Sequence, residues 1–400
     1  MNYEQLMSQR AQQISPSPIR RFFDLAETMD NVISLGVGEP DFRTPWPIRS
    51  AAIATLERQA IIYGANSGLL QLREEISSYM ERRFNLSYHP EDELLVTVGG
   101  SEAVDLTFRT LLNPGDEVLI CEPSFVCYSP LVRMADGVPV PLPTKEENQF
   151  KLTAAELKAA ITPKTKLLML SYPNNPTGAI MTREDYREIV EVLRGTDIFI
   201  LSDEIYCAMT YGTKHCSIAE FDGMRERTVV VNGFSKTFAM TGWRLGWMAA
   251  PAPIIAQARK IHQYAIMCAP MVSQRAAIEA LRHCDAEVTQ MIEEYDHRRR
   301  FLLERFRQMG LSCFEAQGAF YLFPSIAGTG MDGETFCEKL LQEERVAVVP
   351  GGAFGESGKN NLRISYAYSL KHLTEAANRM ERFIARHCGA RPAGGQCPLP

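Results

Sequence analysis

Between residues 94 and 231, short apolar runs alternate with stretches of helical periodicity, and four of the runs end in turns rich in chemically capable side chains. Leu94–Val98 leads into Gly99-Gly100-Ser101-Glu102, and Lys166–Ser171 into Tyr172-Pro173-Asn174-Asn175-Pro176-Thr177-Gly178. Ile198–Leu201 leads into Ser202-Asp203-Glu204-Ile205-Tyr206, and Thr228–Val231 into NGFSKTFAMTGWRLG, Asn232–Gly246. Strands and helices in this rhythm predict an α/β fold with a mostly parallel, doubly wound sheet. Ligands of such sheets sit beyond the carboxyl ends of the strands, so the four turns are expected to converge on one rim.

The spacing predicts further strands over Val32–Leu35, Val118–Cys121 and Val138–Leu142, and helices over Ile19–Met29, Pro47–Gln59, Leu69–Phe84, Ala103–Leu112, Phe125–Met134, Thr153–Ala160 and Arg183–Leu193. Beyond the lysine-bearing turn, Met271–Met309 reads as one long helix. Gly318–Pro324 reads as a strand, Gly333–Leu341 as a helix and Val346–Gly352 as a strand. Gly389–Pro400, rich in Pro and Gly, is expected to be disordered. A chain of 400 residues exceeds what one compact core usually spans, so two domains, or one large domain with a smaller partner, are expected.

A net charge of -6 and a pI near 5.8 supply no electrostatic reason for a nucleic-acid or anionic-membrane partner, and small molecules are favoured. No window reaches the roughly twenty apolar residues of a membrane span. The ten cysteines contain no Cys-x-x-Cys pair and the seven histidines no ligand-spaced cluster, so reduced thiols, a cytoplasmic location and no metal are expected.

Each turn has a chemical and a plain reading. Lys236 lies beside the hydroxyl of Ser235, with Arg244 eight residues on. An amine kept from water has a depressed pKa and forms Schiff bases, while a hydroxyl and a guanidinium suit a phosphate. Taken alone, the same pair describes a solvated lysine on an ordinary loop. The glycine turn at Gly99 can cradle an anion on the first turn of the following helix. It serves equally as a plain strand-to-helix link with Ser101 as N-cap. The prolines around Asn175 hold extended backbone and leave its amide free to donate. Tyr63, on a glycine-punctuated loop, either presents its hydroxyl or plugs the loop as an aromatic. Gly36-Val37-Gly38 lets backbone approach a ligand or forms only a turn.

Taken together and in order, GVGEPDF, PNNPTG, SDEIY, NGFSKTFAMTGWRLG and NLRISYA resemble the class I/II aminotransferases, pyridoxal-phosphate enzymes of the aspartate aminotransferase fold. The archaeal and bacterial branch acting on aromatic amino acids or aspartate is the most similar, and the likeness runs from about Ile14 to Phe383. It implies fold type I: a large domain with a mostly parallel sheet flanked by helices, plus a smaller α+β domain. The expected division is 1–45 as N-terminal arm and part of the small domain, 46–284 as the cofactor domain, 285–388 as the small domain and 389–400 as the tail.

By the same resemblance, Lys236 holds the cofactor aldehyde and then carries the proton. Asp203 pairs with the pyridine nitrogen, and Tyr206 and Asn175 bond the phenolic oxygen. Phe125 stacks on the ring, and Gly100, Ser101, Ser235 and Arg244 cradle the phosphate, reached by Tyr63 from the other subunit of a homodimer. Arg363 and Gly38 receive the substrate carboxylate, and Tyr321 and Phe354 are candidates for side-chain contacts. Some aspartate-preferring relatives carry a lysine where Ser101 stands, so an aromatic or broadly neutral donor is expected, with 2-oxoglutarate as acceptor. A lyase on the same fold shares Lys236, Asp203 and Arg363. A ligand-sensing regulator would need a basic DNA-binding segment, which this chain lacks.

Overall fold

The computed structural model describes residues 1–16, 19 and 29–388. The helix expected over Ile19–Met29, apart from those two residues, and the tail expected over Gly389–Pro400 lie outside the described residues.

Seven strands form the central sheet: β2 (Leu94–Thr97), β3 (Glu117–Glu122), β4 (Val138–Pro143), β5 (Thr165–Ser171), β6 (Phe199–Asp203), β7 (Thr228–Gly233) and β8 (Gly246–Ala249). Their spatial order is β2-β8-β7-β6-β5-β3-β4. Pairing is parallel from β7 through β6, β5 and β3 to β4, whereas β8 is antiparallel to both its neighbours. Two reversals cancel, so β2 points the same way as the other five, and the expected rim forms at their carboxyl ends. The inner strands are buried along nearly their whole length, as a sheet covered on both faces requires; hence their unbroken apolar runs. β4 alternates proline at positions 139, 141 and 143, which donate no ladder hydrogen bond, and it lies at the edge.

Two small sheets hold the rest. β1 (Ile33–Ser34) pairs in parallel with β10 (Val346–Ala347), and β11 (Val349–Pro350), β12 (Leu362–Ser365) and β9 (Tyr321–Leu322) form an antiparallel trio. Leu35 stitches them together: its N–H donates to Ala347 O at 2.8 Å and its carbonyl accepts from Ser365 N at 2.9 Å.

Several expected elements change. The helix after β2 spans Gly100–Leu111, with Gly99 at φ +78° as its N-cap, so Ser101 lies inside the first turn and does not cap it. A helix starting at Phe125 would need an N–H from Pro130 to close on Val126; the helix instead begins at Tyr128 and ends at Met134, with Pro130 in its first turn. Met271–Met309 divides at Cys284 into Met271–His283 and Asp285–Met309. Basic Arg282 and His283 close the first, and acidic Asp285 and Glu287 open the second, which complements both helix dipoles. The strand expected over Gly318–Pro324 contracts to β9. The one expected over Val346–Gly352 becomes β10 and β11, because Val348 marks a change of sheet. β8 and the helices Ala252–Ala265 and Leu370–Cys388 are not among the expected elements, although Leu373, Ala376, Ala377, Met380, Phe383 and Ile384 give the last of them a clear helical apolar period.

Candidate active site

A cavity of about 570 Å³ opens at the rim. Its walls bring together Gly38, Gly100, Ser101, Phe125, Asn175, Asp203, Tyr206, Ser235, Lys236, Arg244 and Arg363. Tyr321 also lines it, whereas Phe354 lies behind the wall, buried at 3% exposure, and Tyr63 is left outside, 81% exposed on the surface of its own chain.

Lys236 follows β7 between two buried aromatics, Phe234 and Phe238, whose rings lie 5.8 Å apart and against the Trp247 side of the core. With its neighbours anchored inward, its own side chain reaches the cavity, where Nζ donates to Gly38 O at 2.7 Å. Burial lowers this amine to about 8; the positive charges of Arg363 and Arg244 act in the same direction, against Glu39 and Asp203.

Asp203 ends β6 and is 8% exposed. Burial raises its carboxyl to about 6, moderated by bonds from the Tyr128 hydroxyl at 2.8 Å and the Ile205 N–H at 3.1 Å. Tyr128 also lies 3.0 Å from Ser171 Oγ. A phenol has a single hydrogen and a carboxylate has none to give, so Tyr128 donates to Asp203 and accepts from Ser171. Tyr128 is a candidate that sequence reasoning missed: it reads as one more apolar position of a helix, and only the fold brings it to Asp203.

Arg363, on β12, is 3% exposed and sandwiched between the rings of Tyr321 and Phe354, each 4.8 Å from the guanidinium carbon. Nη1 donates to Asn175 Oδ1 at 3.1 Å and Nη2 to the Gly36 carbonyl, while Nε is buried with no partner. A buried guanidinium N–H lacking an acceptor faces a desolvation cost of about 1–3 kcal/mol, which a bound carboxylate removes. The bond from Arg363 occupies Asn175 Oδ1 and so leaves the Nδ2 hydrogens as donors. A methyl added at Gly38 would overlap the Tyr321 hydroxyl, so glycine is required there for close approach.

At the other end, Gly100 and Ser101 present first-turn N–H groups. Arg244, held in the left-handed region at φ 52°, packs its guanidinium against Gly99 and donates to Thr241 O at 2.9 Å. Any side chain at Gly99 would displace that guanidinium. Helix N-terminus, the hydroxyls of Ser101 and Ser235 and an arginine are a donor set whose chemistry fits a phosphate.

The family model "Aminotransferase class I and II" matches residues 30–380. The chain belongs to this family. Among curated aminotransferases, it is 52% identical to the putative aminotransferase YugH of Bacillus subtilis, over 94% of this chain and 98% of the relative. It is 45% identical to an aspartate aminotransferase of Pyrococcus abyssi, with the same two coverages. A solved aromatic aminotransferase from Pyrococcus horikoshii superposes with a TM-score of 0.88 at 44% identity, covering 91% of this chain and 99% of that one. Class I and II aminotransferases are pyridoxal-phosphate dependent. The aminotransferase cavity described above fits that group: a phosphate seat at Gly99–Ser101, a buried amine of lowered pKa, and a buried carboxyl at the far wall. No helix among the described residues is long and apolar enough to cross a membrane.

Proposed function

We propose that this aminotransferase takes aromatic or broadly neutral L-amino acids as donors, aspartate less readily, and passes the amino group to a 2-oxo acid, 2-oxoglutarate foremost, in a ping-pong cycle. One observation carries the donor preference. Among the described residues lining the cavity, the cations are Lys236, Arg244 and Arg363. The first is the reactive amine, the second serves the phosphate seat and the third the α-carboxylate. Among these described residues no further cation is available for a second carboxylate, Ser101 is neutral, and the Glu39 carboxylate is near enough to raise the Lys236 amine. A desolvated side-chain charge without a partner is costly, whereas an aromatic ring is not.

Bound pyridoxal phosphate supplies an aldehyde for the amine and a ring that draws negative charge from the substrate α-carbon. Lys236, at about 8, is neutral in roughly a tenth of molecules at pH 7. That fraction can take the α-carbon proton and return it, which an ordinary lysine cannot do at this pH. Asp203 receives the ring N–H and keeps that nitrogen protonated. Tyr206 and the Asn175 Nδ2 group donate to the phenolic oxygen. Phe125 covers one ring face, and Ser101, Ser235, Arg244 and the Gly100 N–H hold the phosphate. Arg363 grips the α-carboxylate with its free Nε, and Gly38 lies beside it.

Residues 46–284 act as the cofactor domain, and 1–45 with 285–388 as arm and small domain. The working unit is a homodimer. Exposed Ile61, Ile62 and Tyr63 lie beside Tyr264, Ile266 and Met267, the two segments being joined by Asn66 Nδ2 bonding Met267 O at 2.8 Å. This apolar face suits a second copy, whose Tyr63 would complete the phosphate seat. Half-reaction rates for a panel of amino acids, followed by 2-oxoglutarate turnover, test the reading. Aspartate outpacing phenylalanine and tyrosine would sink the donor assignment, and ammonia release in place of amino exchange would sink transfer.

A further inference from the structure

The hydroxyls of Tyr206 and Tyr321 lie 2.8 Å apart, and both side chains are buried, at 4% and 1% exposure. Tyr206 is wedged edge-on against Phe320 and Tyr321, at 5.3 and 5.8 Å. Tyr321 is held by the Arg363 guanidinium on its face and by the Gly38 turn at its hydroxyl. Neither ring can swing away, and either hydroxyl can be the donor of the pair.

We propose that Tyr321 is a positioning residue that makes Tyr206 a one-way donor toward the cofactor's phenolic oxygen. The inference rests on the cofactor reading above. Tyr206 has one hydrogen. Once it is given to an anionic ring oxygen, the Tyr206 oxygen can meet Tyr321 only as an acceptor, so Tyr321 becomes the donor. Donation into Tyr206 polarises its O–H and strengthens the next bond in the chain. β9 of a small sheet thereby acts on the cofactor through a residue that follows β6 of the central sheet. The charged groups facing the pair are Arg363 and Glu39 around Tyr321, and Asp203, Arg363 and Lys236 around Tyr206. Tyr321→Phe leaves all of them in place and removes only the hydroxyl.

The test is the pH midpoint of the visible absorbance of cofactor-loaded protein in wild type, Tyr206→Phe, Tyr321→Phe and the double variant, each confirmed folded by its melting curve. A weaker bond to the phenolic oxygen raises the midpoint. Tyr206→Phe is expected to raise it by about one pH unit, and Tyr321→Phe by roughly half a unit, about threefold in proton affinity. The double variant is expected to match Tyr206→Phe alone. An unchanged midpoint in Tyr321→Phe would overturn the proposal, as would a shift from Tyr321→Phe of full size in the Tyr206→Phe background. Absence of any titrating band in wild type would instead remove the cofactor reading beneath it.

Discussion

The Tyr128 hydroxyl donates to the Asp203 carboxylate at 2.8 Å, and Ser171 supports it from behind at 3.0 Å. A helix residue thus braces the acid at the end of β6, and the brace holds the carboxyl below the value that burial alone would give it. Tyr128→Phe removes that donor. The Asp203 carboxyl should titrate still higher, moving the acid limb of the kcat profile to higher pH. A bond to a charged group is worth about 1.5–3 kcal/mol, so kcat at neutral pH should fall about 10- to 100-fold. A kcat profile that superposes on wild type would remove Tyr128 from this role.

Cofactor-free Asp203→Asn should be more stable than wild type. The folded carboxyl titrates at about 6 against an ordinary 3.8, so between those values the folded chain holds a proton that the unfolded chain has released. Stability from this group is complete below about pH 4 and is lost as pH rises through 6. The substitution should therefore gain on the order of 2 kcal/mol at pH 7 and nothing at pH 4, while transfer collapses. Denaturant melts at the two pH values measure it.

Lys236→Ala should lose the visible absorbance of the covalently held cofactor and reduce transfer at least about 10³-fold. Because the folded amine titrates at about 8 against 10.5, the unfolded chain binds the extra proton between those values, and wild-type stability falls as pH drops through that window. Removing the amine should abolish that dependence in cofactor-free melts. Full turnover in the variant would exclude Lys236 as the proton carrier.

Arg363→Lys tests the carboxylate seat. A lysine has no planar fork to fill the gap between Tyr321 and Phe354 or to pair bidentately. Donor KM should rise about 10- to 100-fold. Equal KM values would place the carboxylate elsewhere.

Ser101→Lys adds a cation at the neutral position of the cavity. Steady-state kinetics should show kcat/KM for aspartate rising about tenfold relative to phenylalanine, the effect of one partly screened ion pair. An unchanged ratio would mean that the donor side chain lies away from residue 101.

What the sequence discloses follows from where each signal is physically stored. The runs that became β2, β5, β6 and β7 are legible because they are buried on both faces and so remain apolar throughout. The turns after them are legible because glycines and prolines punctuate them and chemically capable side chains cluster there. β8 is opaque: four residues, Gly246-Trp247-Met248-Ala249, just beyond a loop already crowded with motif, carry too little pattern to betray a reversed strand. The break at Cys284 is opaque because apolar periodicity continues across it, and only the change of charge sign marks it. Tyr128 and the Tyr206–Tyr321 pair are opaque for a different reason. Their meaning lies in contacts 75 and 115 residues apart in the chain.

Leu35, bonded on one side to Ala347 and on the other to Ser365, also has a mechanical meaning. The turn at Gly36–Gly38 springs from a residue clamped between two strands, and one of those strands carries Arg363 two positions from the clamp. The acceptor for the Lys236 amine and the guanidinium proposed to take the substrate carboxylate therefore hang from one clamp, set against the main sheet. Any tilt of that clamp against the main sheet would change both contacts together, so the place of the guanidinium and the resting place of the lysine are geometrically linked.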